Sequence, residues 1–282
     1  MNSQLSVLIS DLDNTLYDFA EYFSPSFRAM IHALSRETGV VESQLVRDFA
    51  EVYRRHGTIE YTYSVQNLAS LSSLNANEID RLVHIAHVAF GRTRRRRLRL
   101  YPGVKDTLRD LVAGGVLICI VTNAPWYSAY RRLHDLGILS FVHSLSAWNG
   151  FQVPSSEFEK YASALEHVST RSRVSRYSSD ERKPQPHALL NLVNWLGDDR
   201  NMFVIGDSIA NDLAPASALG MTTIWAKYGN AIDDHNRQTM LEVTPAAIAT
   251  AELPSDFVPD FSIDQFSSVL QILGLPTQPR LF

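Results

Sequence analysis

The chain has 282 residues with a formal net charge of -4, and 45% of its residues are hydrophobic against 20% charged. These proportions are those of a folded globular protein with one large core or a core and a smaller domain, and they exclude a disordered chain. The negative charge argues against a general polyanion binder, so no nucleic-acid partner is expected.

The apolar pattern of the chain argues against a secreted or membrane protein. The N-terminus lacks the basic residues and the long apolar stretch of a signal peptide, and the longest clean apolar run, residues 116–121, is far shorter than a membrane span. We therefore expect a cytoplasmic protein without a membrane partner. The one cysteine, Cys119, lies inside that run, which predicts a packed and inert thiol.

Short apolar runs separated by longer helical patterns predict parallel strands that are buried on both faces. The runs are residues 5–9, 116–121, 202–205 and 222–226. Helical patterns precede the second and third runs, over residues 104–112 and 183–196, and each ends at a glycine. This alternation predicts an α/β fold whose core is a doubly wound, Rossmann-like parallel sheet.

Between the first and second runs, apolar residues recur only at helical spacing. We interpret residues 18–98 as a smaller α-helical cap domain, inserted into a core formed by residues 1–17 and 99–282. Asn75 followed by Glu78 predicts a capping box at the start of the last long helix of this insert. The cap is expected to lie over the sheet edge at which the strands end.

Three further segments carry weaker signals. Residues 168–182, rich in Ser and Arg, predict an exposed or mobile loop, and residues 261–263 predict a last strand followed by a helix. A basic cluster ends the predicted cap and comprises Arg92, Arg94, Arg95, Arg96, Arg97 and Arg99. It lacks interleaved aromatic residues, so we interpret it as a solvated hinge rather than a nucleic-acid site. Attraction of an anionic substrate by one of these arginines stays open.

Polar side chains follow three of the predicted strands at the point where each strand ends. They are Asp11 and Asp13 after the first, Thr122 and Asn123 after the second, and Asp207 after the third, with Asp212 five residues further on. Because the carboxyl ends of parallel strands share one edge, these side chains should converge on one crevice. A divalent cation and Lys183 would offset the repulsion among the carboxylates. Oxygen-only ligands predict Mg²⁺ rather than zinc or iron.

Four ordered motifs resemble those of the haloacid dehalogenase superfamily. They are Asp11-Leu12-Asp13-Asn14-Thr15, Thr122-Asn123, Lys183-Pro184, and Gly206-Asp207-Ser208 with Asn211-Asp212. The resemblance spans about residues 5–226, and the insert is similar to the helical cap subclass. It implies an Mg²⁺-dependent phosphatase that hydrolyses a small phosphorylated metabolite, of the nucleotide monophosphate or sugar phosphate class, through an aspartyl-phosphate intermediate.

The resemblance also implies three catalytic residues. Asp11 is the nucleophile that attacks phosphorus. Asp13 protonates the leaving oxygen and then deprotonates the hydrolytic water. Lys183 neutralises charge on the nucleophile and on the transferred group. The segment before Lys183 is longer than the family usually has, so Arg182 or Lys160 stays open as a substitute.

For binding, the resemblance implies two sets of residues. Thr122, the backbone around Asn123, and Lys183 hold the phosphate oxygens. The metal site is formed by Asp11, Asp13 through its backbone carbonyl, Asp207, and Asp212 acting through water or through the lysine.

Two other functional classes stay open. A metal-independent 2-haloacid dehalogenase also uses an aspartate nucleophile, but it needs neither a general acid at the position of Asp13 nor a metal ligand at Asp207. A non-catalytic binding protein on the same fold would use the basic cluster or the Ser/Arg-rich segment. Every expected catalytic residue type is present, which argues against that last class.

Overall fold

The structure is a computed structural model that describes residues 6–150, 173–197, 200–244 and 257–276. The described residues fall into two compact units. The first unit draws on Met1–Tyr17, Leu100–Ala231 and Glu252–Phe282, and the second on Asp18–Arg99 and Ile232–Ala251. Within the described ranges, no helix is both long and apolar enough to cross a membrane.

The first unit is built on a seven-stranded parallel sheet. Its strands are β1 (Ser6–Ser10), β2 (Leu117–Pro125), β3 (Ser144–Trp148), β4 (Arg173–Tyr177), β5 (Asn201–Gly206), β6 (Thr222–Ala226) and β7 (Phe261–Ile263). Their order across the sheet is β4-β3-β2-β1-β5-β6-β7, and all neighbouring pairs run parallel. The chain builds outward from β1 in one direction and then returns to its other side, so the predicted doubly wound α/β sheet is confirmed.

Helices connect the strands of the first unit and make up most of the second. In chain order they are α1 (Phe19–Thr38), α2 (Glu42–His56), α3 (Ala76–Arg97), α4 (Val104–Ala113), α5 (Trp126–Asp135), α6 (His187–Leu196), α7 (Ala214–Ala218), α8 (Asp234–Val243) and α9 (Val269–Ile272). Strand residues Val7, Ile9 and Cys119 pack against Leu189 of α6 in one buried cluster. Burial raises the pKa of the Cys119 thiol to about 11, which agrees with the inert packed thiol expected from the sequence.

Two features of the Ser/Arg-rich region differ from the sequence expectations. Residues 173–177 form β4 rather than a loop, because they pair in register with β3 from Arg173 opposite Ser144 to Tyr177 opposite Trp148. Residues 168–172 lie outside the described residues. Lys183 does not begin a helix, since α6 starts at His187 and the lysine lies in the loop before it.

The second unit is a helical unit whose core is rich in aromatic rings. Phe27 of α1 and Phe49 of α2 meet edge to face, with ring centroids 5.3 Å apart. The predicted capping box of Asn75 and Glu78 begins α3. Four of the six arginines of the basic cluster lie in the last turn of α3, where positive charge suits the helix dipole.

The helical unit also includes α8, which the sequence analysis had placed in the core with the rest of residues 99–282. Polar contacts within the unit explain this difference. Asn236 of α8 donates to Glu21 at 2.7 Å, and Arg28 donates to Thr239 at 2.7 Å and to Asn236 at 3.0 Å. Hydrogen bonds between residues so far apart in sequence leave no periodic signal. The division into a catalytic core and a cap stays a prediction.

Replacing Phe27 by Ala should destabilise the helical unit. The ring is 1% exposed, and removing a buried phenyl group typically costs about 3–5 kcal/mol through lost transfer free energy and the cavity left behind. The measurement is urea unfolding followed by circular dichroism. Phe261→Ala is the matched control, because that ring is 42% exposed on β7 and its loss should change the free energy of unfolding by less than about 1 kcal/mol. Equal effects of the two substitutions would contradict this assignment of the core.

Candidate active site

Three carboxylates meet at the carboxyl edge of the sheet. Asp11 follows β1, Asp207 follows β5, and Asp212 lies in the short π-helix Ile209–Leu213. One oxygen from each carboxylate lies within 4.8 Å of the others. Strands β1 and β5 are neighbours, and the Asp11 N–H donates to the carbonyl of Ile205 at 2.9 Å, which extends the strand pairing to the carboxyl edge of the sheet. The convergence predicted from the strand ends is therefore observed for these three residues.

The ammonium of Lys183 reaches two of the three carboxylates. Its Nζ donates to Asp11 Oδ1, to Asp212 Oδ1 at 2.6 Å and to the carbonyl oxygen of Val121 at 3.1 Å. All three groups are nearly buried, since the side chains of Lys183, Asp11 and Asp212 are 10%, 8% and 4% exposed. Buried charges are tolerated when they are paired and hydrogen-bonded, and these three satisfy one another.

Burial and mutual repulsion shift the titration of the cluster. Burial raises the pKa of Asp11 to about 7 against the lowering effect of Lys183, with further raising effects from Asp212 and Asp13. Burial, followed by the charges of Asp11 and Asp212, also raises the pKa of Asp207. For Lys183, burial alone would lower the pKa, but the two carboxylates outweigh burial and raise it. Without a cation, the carboxyl groups of Asp11 and Asp207 therefore bind protons more readily than isolated carboxyl groups do.

The donor set fits a divalent cation. Three carboxylates and one ammonium carry a formal charge of -2, and oxygen ligands of this kind suit Mg²⁺. The group found among the described residues consists of Asp11, Asp207 and Asp212, and the carboxylate of Asp13 lies outside it. A backbone carbonyl contact from Asp13, as the sequence analysis expected, does not require that carboxylate to join the group.

The side chain of Asp13 has its own partners. Tyr17 donates its hydroxyl to Asp13 Oδ1, and Arg132 Nη2 lies 3.5 Å from Oδ2. Neither partner was predicted from the sequence. The burial of Arg132, however, could have been predicted from the helical spacing of α5. Ala129 and Leu133 are four residues apart and mark one apolar face, and Arg132, three residues after Ala129, lies on the same face.

The second motif is tied to the loop that carries the lysine. Asn123 Nδ2 donates to the Lys183 carbonyl at 2.9 Å, and Asn123 Oδ1 accepts from the Lys183 N–H at 2.8 Å. Buried Tyr177 donates its hydroxyl to the carbonyl of Thr122. The side chain of Asn123 thus orients Lys183, and contact of Asn123 with phosphate would be through its backbone. The phosphate-binding roles of Thr122 and Asn123 stay predictions.

The residues around Asp207 and Asp212 are closely packed. A Cβ atom at Gly206 would overlap the carboxylate of Asp212, so only glycine fits there without a shift. The carbonyl of Asp207 accepts hydrogen bonds from Trp225 Nε1 and Asn230 Nδ2, both at 3.0 Å. These contacts fix the backbone that presents the two carboxylates.

Comparison with known proteins agrees with this geometry. The sequence matches the haloacid dehalogenase-like hydrolase family over residues 5–220. It is 24% identical to a glyceraldehyde 3-phosphate phosphatase from Methanopyrus kandleri, over 95% of this chain and 97% of that protein. It is 29% identical to a D-glycero-beta-D-manno-heptose-1,7-bisphosphate 7-phosphatase from Rhodopseudomonas palustris, over 55% of this chain and 84% of that protein.

The fold has a counterpart among solved structures. A 2-haloacid dehalogenase from Pseudomonas syringae is similar with a TM-score of 0.60 and 17% identity, over 96% of this chain and 98% of that chain. At this identity the likeness concerns the fold alone. The family match covers most of the chain and includes every strand-end carboxylate described above. The chain therefore belongs to the haloacid dehalogenase-like hydrolases.

Proposed function

We propose that this protein is an Mg²⁺-dependent phosphatase that hydrolyses a small phosphomonoester through an aspartyl-phosphate intermediate on Asp11. The observation that carries the proposal is the buried Lys183 ammonium, bound to Asp11 and Asp212 beside the carboxylate of Asp207. The two related proteins named above are phosphatases, which supports the same class of reaction.

Asp11 is the nucleophile in this proposal. Lys183 donates to one of its carboxylate oxygens, and the Thr15 hydroxyl lies 3.4 Å from the other, so the carboxylate is held in one orientation. An oxygen of Asp11 bonds to phosphorus while the bond from phosphorus to the leaving oxygen breaks. The lysine, in a buried and weakly screened site, offsets negative charge on both reacting groups.

Asp13 supplies the proton transfers. It donates a proton to the leaving oxygen as the alcohol departs, and then accepts a proton from the water that attacks the aspartyl phosphate. That second step releases inorganic phosphate and restores the carboxylate of Asp11. The side chain of Asp13 is 25% exposed, compared with 8% for Asp11 and 4% for Asp212. This greater exposure suits a group that exchanges protons with substrate and water.

Asp11, Asp207 and Asp212 would hold the Mg²⁺ ion, together with the backbone carbonyl of Asp13. When bound, the ion offsets the surplus negative charge of the cluster and of the phosphoryl oxygens. Phosphoryl transfer depends mainly on such positioning and charge neutralisation.

The substrate is proposed at the level of class, as a sugar phosphate, a nucleotide monophosphate or a similar small metabolite. The helical unit is proposed to serve as the cap domain. A 2-haloacid dehalogenase is the second candidate on this fold, but two observations favour the phosphatase. Asp13 is a second carboxylate near the nucleophile, and Asp207 completes a metal-binding set that dehalogenation does not need.

Replacing Asp11 by Asn should lower phosphatase turnover by about 10³-fold or more, because an amide cannot form the covalent intermediate. The measurement is release of inorganic phosphate from a panel of phosphorylated metabolites with Mg²⁺. Asp106→Asn is the matched control, since Asp106 lies in the same unit on α4 and forms a solvent-accessible ion pair with Arg109. Undiminished hydrolysis by a folded Asp11→Asn protein would refute the proposed nucleophile.

Mg²⁺ should raise the thermal unfolding midpoint more at pH 8 than at pH 5. The pKa of Asp11 is about 7 in the folded protein and 3.8 as its ordinary value, so between these pH values the metal-free folded state binds more protons than the unfolded state does. The contribution of Asp11 to the free energy of unfolding therefore falls as pH rises from about 4 to about 7. A cation competes with the protons and restores stability, by about 2.7 kcal/mol at 100 times its dissociation constant.

The same experiment includes a metal-site variant. Asp207→Asn removes one carboxylate of the cluster and should abolish most of the Mg²⁺ effect, whereas Asp106→Asn should retain it. A midpoint shift that is independent of pH, or that persists in Asp207→Asn, would show that the ion binds elsewhere.

A further inference from the structure

Arg132 is a fully buried arginine, with 1% of its surface exposed. It lies on α5, which follows directly after β2 at the carboxyl edge of the sheet, and its neighbours on the buried face of that helix are Ala129 and Leu133. A guanidinium is costly to bury unless a charge and hydrogen bonds compensate. A hydrophobic residue would therefore be expected at this position if packing alone mattered.

The carboxylate of Asp13 is a charged partner of Arg132. Arg132 Nη2 lies 3.5 Å from Asp13 Oδ2, while the hydroxyl of Tyr17 donates to Oδ1, so each carboxylate oxygen has one buried partner. The two partners also lie within cation–π distance of each other, because the guanidinium carbon of Arg132 is 6.0 Å from the centre of the Tyr17 ring.

Tyr17 is itself held firmly. It is completely buried, and its backbone forms isolated bridges to Asp13 on one side and to Leu100 on the other. Its hydroxyl therefore has a fixed position relative to the chain that carries Asp13. The carboxylate is partly exposed, whereas both of its partners are buried.

A carboxylate offers about four acceptor sites, so contacts with Tyr17 and Arg132 leave others for exchange with a substrate or water. Proton transfer requires the carboxyl group to lie within hydrogen-bond reach of the reacting oxygen. A carboxylate free to rotate would occupy that orientation for only part of the time, and small misplacements are costly in rate.

We propose that Arg132 and Tyr17 are positioning residues for Asp13. They hold its carboxylate in the orientation from which it protonates the leaving oxygen and deprotonates the hydrolytic water. Neither residue touches the substrate in this account. The inference rests on the proposed function, because it takes the proton-transfer role of Asp13 from there.

The test compares two aryl phosphates that differ in how much they need a proton donor. The leaving group of 4-nitrophenyl phosphate departs readily as an anion, whereas that of phenyl phosphate is a basic phenolate that requires protonation. The quantity measured is kcat/KM, since it includes only the steps up to release of the leaving group. Damage to the fold lowers both values by the same factor, whereas misplacement of Asp13 lowers the value for phenyl phosphate much more than the value for 4-nitrophenyl phosphate.

Arg132→Met keeps the length of the side chain without its charge, and Tyr17→Phe removes only the hydroxyl. Each should lower kcat/KM by about tenfold or more for phenyl phosphate and by less than about threefold for 4-nitrophenyl phosphate. General acid catalysis typically contributes about 10²- to 10⁴-fold, and the loss of one positioning contact should remove part of that contribution. The same substitutions on α5, Arg131→Met and Tyr130→Phe, are the matched controls. Arg131 faces the ring of Tyr127 and Tyr130 is 1% exposed, so neither control should change the ratio of the two values.

Equal losses on both substrates, or no loss, in Tyr17→Phe and Arg132→Met would overturn the inference. If Arg132→Met does not fold, Tyr17→Phe decides, because it preserves the packed ring. Asp13→Asn separates this inference from the proposed function. A selective loss in Asp13→Asn that the other two variants lack refutes the positioning roles alone. Unchanged hydrolysis of phenyl phosphate by Asp13→Asn refutes the proton-transfer role of Asp13 itself, and the inference with it.

Discussion

One buried ammonium group, that of Lys183, makes the acidic site possible. It bonds to Asp11, Asp212 and the Val121 carbonyl, so segments from three parts of the chain meet at a single nitrogen. Two carboxylates 4 Å apart repel each other by about 4 kcal/mol at an effective dielectric constant near 20, and the cluster contains three carboxylates within 4.8 Å. The lysine offsets only part of that repulsion. The remaining negative charge favours a cation at this edge of the sheet.

The sheet order supplies the geometry that the lysine stabilises. Because β1 lies between β2 and β5, the residues that end these three strands are neighbours although Ser10, Pro125 and Gly206 are far apart in sequence. The lysine comes from a loop, which needs separate support. Two hydrogen bonds between the Asn123 side chain and the Lys183 backbone, one donated and one accepted by the amide, fix that backbone. The Tyr177 hydroxyl on β4 donates to the Thr122 carbonyl and so supports the end of β2. An edge strand thus contributes to the position of the charge at the centre of the site.

The sequence predicted those parts of the structure that leave a local signal. Strand-end carboxylates follow clear apolar runs, and the capping box of α3 is a four-residue pattern. Strand β3 was missed because its sequence, Ser-Leu-Ser-Ala-Trp, lacks a continuous apolar run, and β4 because two of its five residues are arginines. The place of α8 in the helical unit depends on polar contacts between distant residues. The pairing of Arg132 with Asp13 depends on how α5 packs, which no spacing in the sequence specifies.

A crystal structure with Mg²⁺ and beryllofluoride would reveal which residue accepts the phosphoryl group, because beryllofluoride bonded to a carboxylate imitates an aspartyl phosphate. We expect beryllium to be bonded to Asp11, the ammonium of Lys183 to lie against the fluorides, and the magnesium ion to be bound by Asp11 and Asp207. Beryllium bonded to another residue would refute Asp11 as the nucleophile, and a magnesium ion remote from Asp207 and Asp212 would refute the proposed metal site.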